Sequence, residues 1–176
     1  MKAIVMGLAL TLTMGNAVAG VVESFNPPVP AKAEHAQTAK QLAQMVGGPV
    51  MRVASTRSME PVITAEHLLI LKPVNVSELN VGDIIVFERR RSGGMMIGHR
   101  IIETKRTWVV TKGDNLREKD EDLITQDMLL GRVALLVNGQ TGVIHDLLHE
   151  RNGVAIDLEQ VLARLAEMNA DVAEDQ

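Results

Sequence analysis

"DIIVFERRRSGGMMIGHRIIET", residues 83 to 104, reads as two strands and the turn that joins them. Both arms are rich in Ile, Val and Met, and each is bounded by polar or turn-forming residues. Ser92-Gly93-Gly94 supplies the conformational freedom of a tight turn. A hairpin of this kind predicts a mainly β fold. One residue in it is out of character. His99 puts an ionisable ring among Ile97, Ile101 and Ile102, on a segment built for a core. Two readings stand: a buried histidine held by a backbone hydrogen bond, or a base presented to a site. The Arg89-Arg90-Arg91 run beside the turn reads as a solvated hairpin end, with contact to lipid head groups as its alternative.

The same pattern extends on both sides. "VMRVAS" (50–55), "HLLILKPV" (67–74), "TWVVTKG" (107–113) and "LLGRVALLV" (129–137) all read as strands, cut by turns such as "NVGD" at 80 to 83. Before them, "AEHAQTAKQLAQMV" (33–46) carries helix formers and is stopped by Gly47-Gly48-Pro49. After Gly139 the pattern returns to helix. There "DLEQVLARLAEM" starts at a capping Asp157 and repeats Leu158, Val161, Leu162 and Leu165 on one face. "HDLLHE" puts His145 and His149 one helical turn apart. With no third ligand near, this predicts a polar helix face rather than a metal site, and no metal or other cofactor is expected. His35 and His67 are expected at the surface.

The N-terminus has its own signature. Lys2 precedes an apolar run from Ala3 to Met14, and Ala17-Val18-Ala19 has the small-x-small form of a signal-peptide cleavage site. Residues 1–19 are therefore expected to be a signal peptide or an uncleaved membrane anchor. Either holds the rest of the chain on the extracytoplasmic side of a membrane. Residues 20–49 form a linker, with Pro27, Pro28 and Pro30, and the short helix. The β domain covers 50–137, and 138–176 is a helical extension.

Composition excludes several function classes. Of 176 residues, 46% are hydrophobic but only 2% aromatic, so the core must be aliphatic and base stacking lacks its platforms. The net charge of −4 also argues against a nucleic-acid partner. With no cysteine, a thiol nucleophile and thiolate metal sites are ruled out.

A serine hydroxyl is a remaining candidate nucleophile. "STRSMEP", residues 55 to 61, sets Ser58 before a large apolar Met59 and a Glu-Pro pair, at what reads as the start of a strand. Pro61 restricts Glu60 to extended angles. Met59 can turn inward as an anchor while Ser58 faces a cleft. Serine is a weak nucleophile until a base takes its proton. Histidine, with an ordinary pKa near 6.5, is neutral at about pH 7 to 8 and suits that task. "TKGDNLREKD", residues 111 to 120, adds a sharp turn at Gly113-Asp114-Asn115 and a further acid at Asp120. Taken alone it is an ordinary hairpin turn.

Taken in order, "RSMEP", "VGDIIVF", "GHRIIE", "TKGDN" and "LLGRVALLV" closely resemble the type I signal peptidase family of serine endopeptidases, across about residues 50 to 137. The resemblance implies a compact antiparallel β catalytic domain of signal-peptidase type, flanked by an N-terminal hydrophobic helix and C-terminal helices. It implies Ser58 as nucleophile and His99 as base, as in the endoplasmic-reticulum-like and archaeal-like branch, where the bacterial branch has lysine. It also implies assistance from Asp114 and Asp120, either of which could orient the ring. Gly82 and Asp83 are expected to be structural. The oxyanion would be met by the Ser58 N–H and the Thr56 hydroxyl. Arg57 departs from the family's usual small residue. The expected substrates are precursor proteins or peptides, secreted or membrane-attached, cut after small side chains. The alternatives are a self-cleaving repressor-type peptidase and a non-catalytic β domain used for binding or assembly.

Overall fold

The structure is a computed structural model that describes residues 29–54, 56–90, 93–148, 155–156 and 163. Helix α1 (Ala33–Val46) ends at Gly47, whose φ of 76° lets its N–H turn back onto the Ala43 carbonyl. Strand β1 (Val50–Arg52) follows, and then a long loop carries the chain to β2 (His67–Lys72). Strands β3 (Ile84–Arg89) and β4 (Met95–Thr104) form the hairpin read from the sequence, in register from Ile84 opposite Arg100 to Arg89 opposite Met95. Strand β5 (Val109–Lys112) returns along β4, and β6 (Leu129–Asn138) crosses back to lie between β2 and β3. The order is β1-β2-β6-β3-β4-β5, every pair antiparallel.

The inner strands are buried on both faces, which explains their near-continuous apolar runs. Along β2, Leu68 and Ile70 pack with α1 residues Ala39, Leu42 and Ala43, while Leu69 and Leu71 join Met59, Ile63 and Val86 on the other side. Along β3, Ile84 and Val86 enter that second cluster, and Ile85 and Phe87 enter a third with Ile101, Val109 and Ile124. Three small apolar clusters, aliphatic except for Phe87, thus share the strands of one sheet.

Several expectations change. Between Gly139 and Leu148 the described chain is turn and strand, not helix. The turn at Asn138–Gly142 brings β7 (Ile144–Asp146) back onto β6, and β8 (Ala155–Ile156) pairs with β7. Ile144 and Asp146 are buried and His145 only partly, the period of a strand. His145 therefore lies on a strand rather than a helical face, and His149 and all but residue 163 of the expected C-terminal helix lie outside the described residues. His67 is buried rather than superficial, its Nδ1 accepting the Thr64 N–H at 3.0 Å. His35 is half-buried against the Gly139 carbonyl at 3.0 Å. The expectation of a chain held on the far side of a membrane by an N-terminal anchor is also corrected: among the described residues no helix is long and apolar enough to cross one. Residues 1–19, on which that expectation rested, lie outside the described residues.

Candidate active site

The loop between β1 and β2 carries Ser58. It is a turn rather than the start of a strand: Glu60 N–H donates to the Arg57 carbonyl at 3.2 Å and Ile63 N–H to Met59 at 2.9 Å. Arg57 adopts φ 60°, a left-handed conformation uncommon for a side-chain-bearing residue. Its guanidinium folds onto Glu60 at 2.9 Å instead of closing the cleft. Met59 turns inward as expected, 4% exposed in the second cluster, which fixes the turn to the core. Ser58 is left half-buried at the surface of a cleft of about 230 Å³.

Across that cleft stands His99 of β4, buried opposite Ile85 of β3. Its Nε2 is 3.2 Å from Ser58 Oγ, and its Nδ1 is 2.6 Å from Asp120 Oδ2. An ionised carboxylate only accepts, so the proton of the neutral ring belongs on Nδ1. The Nε2 lone pair is then free to accept from the Ser58 hydroxyl. Forty-one positions of sequence separate serine from histidine; the loop and the sheet bring them together.

Asp120 is the anchor of the arrangement. Thr111 Oγ1 donates to Oδ2 at 2.7 Å, and Arg89 Nη2 to Oδ1 at 2.6 Å. Burial pushes the Asp120 carboxyl up, but the hydrogen bonds from His99 and Thr111 and the charges of His99 and Arg89 outweigh it. The group is held below its ordinary value near 3.8. Arg89 itself is shared with Asp122, 3.1 Å from its Nε. It is therefore not a solvated hairpin end, and Arg90 is paired with Asp127.

Asp114 does not reach the histidine. Its two oxygens take the Arg100 guanidinium in a bidentate pair, at 2.8 and 2.7 Å, and the pair raises the Arg100 pKa. Between the two candidates, Asp120 meets the ring and Asp114 fixes the turn. That turn clamps the nucleophile loop. Asn115 N–H donates to the Ser58 carbonyl at 2.8 Å, Asn115 Nδ2 to the Arg57 carbonyl at 3.1 Å, and Asp114 N–H to the Met59 sulfur at 3.4 Å. Gly113 is needed here for space rather than for unusual backbone angles: a Cβ would stand 2.7 Å from the Ser58 carbonyl oxygen.

Thr56 lies beside Ser58, its hydroxyl 3.2 Å from Ser58 Oγ. Asp83 is structural as expected, receiving the Asn80 N–H at 2.9 Å beside Gly82. Among the described residues no group of His, Cys, Asp and Glu is arranged to hold a metal ion. Sequence reasoning missed the contacts of Arg89, read as a solvated hairpin end, and of Thr111 with Asp120. Their signal is the hairpin register: Ile85 faces His99, so counting by twos along β3 arrives at Arg89, and Thr111 faces Ile101, two beyond the histidine. No family model and no curated protein matches the chain.

Proposed function

We propose that the protein is a serine endopeptidase of the signal-peptidase type, acting on precursor polypeptides after small side chains. The observation that carries this reading is the line of contacts from Ser58 Oγ to His99 Nε2, and from His99 Nδ1 to the buried Asp120. In this reading His99 accepts the Ser58 proton as Oγ attacks the scissile carbonyl carbon. The imidazolium so formed is stabilised by Asp120, then protonates the departing amine. Water, deprotonated by the same ring, releases the acyl group. The developing oxyanion is met by the Ser58 N–H and the Thr56 hydroxyl. One such donor contributes a factor of roughly 10²–10³ in rate.

The cleft supports a polypeptide substrate. Strand β5 pairs with β4 only from Arg100 onward. Among the described residues, no strand takes up that edge of β4 from Met95 to His99. An extended peptide added there gains backbone hydrogen bonds and is carried past the nucleophile. Met51, Met59, Met95 and Met96 line the cleft with adaptable apolar surface.

The test is hydrolysis of a presequence peptide containing Ala-Val-Ala-Gly. Ser58→Ala is expected to lower kcat/KM by on the order of 10⁵- to 10⁶-fold, and His99→Ala by a similar factor. Undiminished cleavage by Ser58→Ala would remove the peptidase reading and leave a binding domain.

A further inference from the structure

We propose that Arg89 is a positioning residue of the candidate site: it bridges Asp122 and Asp120 and so holds the Asp120 carboxylate in the orientation that serves His99. For its part in catalysis the inference rests on the peptidase reading above. It gives a role in that reaction to an arginine at the end of a hairpin strand.

The two oxygens of Asp120 are engaged differently. Oδ2 lies 2.6 Å from His99 Nδ1 and accepts the Thr111 hydroxyl at 2.7 Å. Oδ1 has one donor among the described residues, Arg89 Nη2 at 2.6 Å. The side chain is only 6% exposed, so an oxygen stripped of that donor would be left buried and unsatisfied. The carboxyl would respond by taking up a proton or by turning toward water. A way out exists, because Asp120 and Arg89 line both the cleft and a second hollow formed with Arg117 and Asp122. Either response withdraws from the ring the negative charge that would steady an imidazolium.

The bridge uses the shape of a guanidinium. Nε meets Asp122 Oδ2 at 3.1 Å while Nη2 meets Asp120, so one edge of the planar group serves two carboxylates at once. The same charge offsets the repulsion between those carboxylates, which would otherwise favour protonation of the more buried one. The last residue of β3 carries this group, opposite Met95, so strand pairing fixes where it starts. Arg90, next in the chain, turns instead to the exposed Asp127.

The experiment is steady-state kinetics of the full chain on the presequence peptide. Arg89→Ala is expected to lower kcat on the order of 10²-fold, with KM changed less than about threefold. Arg89→Lys, a point donor that reaches one carboxylate, should fall between it and wild type. In an Asp120→Asn background, removing Arg89 should cost less than about threefold, since nothing remains for it to position. Guanidinium at a non-denaturing concentration should restore part of the Arg89→Ala rate, and the same concentration of sodium should not. Arg90→Met should stay within about twofold of wild type.

An unchanged kcat in Arg89→Ala overturns the proposal, as does a loss confined to KM. A full loss repeated in the Asp120→Asn background also overturns it, because Arg89 would then act on the substrate directly. If Arg89→Ala does not fold, Arg89→Lys and its double variant with Asp120→Asn decide by the same comparison. Low-field proton NMR of the His99 Nδ1–H gives a reading free of turnover: a sharp resonance in wild type, lost in Arg89→Ala. If the wild-type protein cuts no peptide, the peptidase reading falls, and this resonance alone decides the positioning. Its retention in Arg89→Ala overturns the proposal; its loss sustains it.

Discussion

At the scale of single residues the two aspartates do different work. Asp120 touches the His99 ring, which moves the proton in the proposed reaction, whereas Asp114 holds Arg100. Asp120→Asn removes the carboxylate that fixes the His99 tautomer and steadies the imidazolium. It is expected to lower kcat by roughly 10⁴-fold with KM little changed. Asp114→Asn loses a partly exposed ion pair worth about 1 kcal/mol, so kcat should fall by no more than roughly 10-fold. Steady-state kinetics on one peptide separates the two; equal losses would contradict the assignment. Ser58 and Asp120 stood out in the sequence only through the ordered set of segments they belong to, whereas His99 was also out of character among its apolar neighbours. Arg89 did not stand out, since a run of three arginines at a turn has an ordinary explanation in water. What the run could not convey is that Asp120 and Asp122 return to meet its first member.

At the scale of elements, the Gly113–Asn115 turn acts as a clasp on the nucleophile loop. A methyl group at residue 113 would meet the Ser58 carbonyl oxygen at 2.7 Å and the Leu116 side chain at 2.9 Å. Gly113→Ala should therefore push the serine out of line with His99. A displacement of 1 Å costs roughly 100-fold in rate, while the three core clusters stay intact. The expected pattern is a large loss of kcat with a melting temperature close to wild type, measured on the same preparation. The main strands were readable from their β-branched runs, and α1 was readable from its composition and its Gly-Gly-Pro stop. Strand β7 was not. "IHDLLHE" satisfies a helical spacing as well as a strand's alternation over so few residues. The deciding influence is the turn at Asn138–Gly142, whose own hydrogen bonds send the chain back along β6.

At the scale of the molecule, two buried titratable groups divide the acid response. Burial pushes the His67 pKa down and the neighbouring His145 adds to this, against the Thr64 hydrogen bond and Glu66. The folded protein then binds fewer protons at His67 than the unfolded chain does. Stability contributed by the neutral ring is full above about pH 6.5 and is lost as pH falls through the folded value. Asp120 is depressed in the same sense from 3.8, so its share is full above that value and lost only in stronger acid. Thermal unfolding followed from pH 8 to 3 should show both losses. His67→Gln is expected to flatten the curve just below pH 6.5, and Asp120→Asn to flatten it below about pH 4. A His67→Gln curve parallel to wild type through the first window would contradict the linkage.

The half-strand Met95–His99 has a bearing on handling as well as on catalysis. An unpaired strand edge is a template for any extended chain, including a neighbouring copy in a concentrated solution. Met95 and Met96, both exposed, add apolar surface there and no repelling charge. Gly93 and Gly94, with φ of 71° and 82°, stand at the start of this edge. If the proposed peptide docks here, colloidal stability and substrate capture compete for the same few backbone amides, and a lysine placed at Met96 to keep the protein dispersed would be felt first in KM.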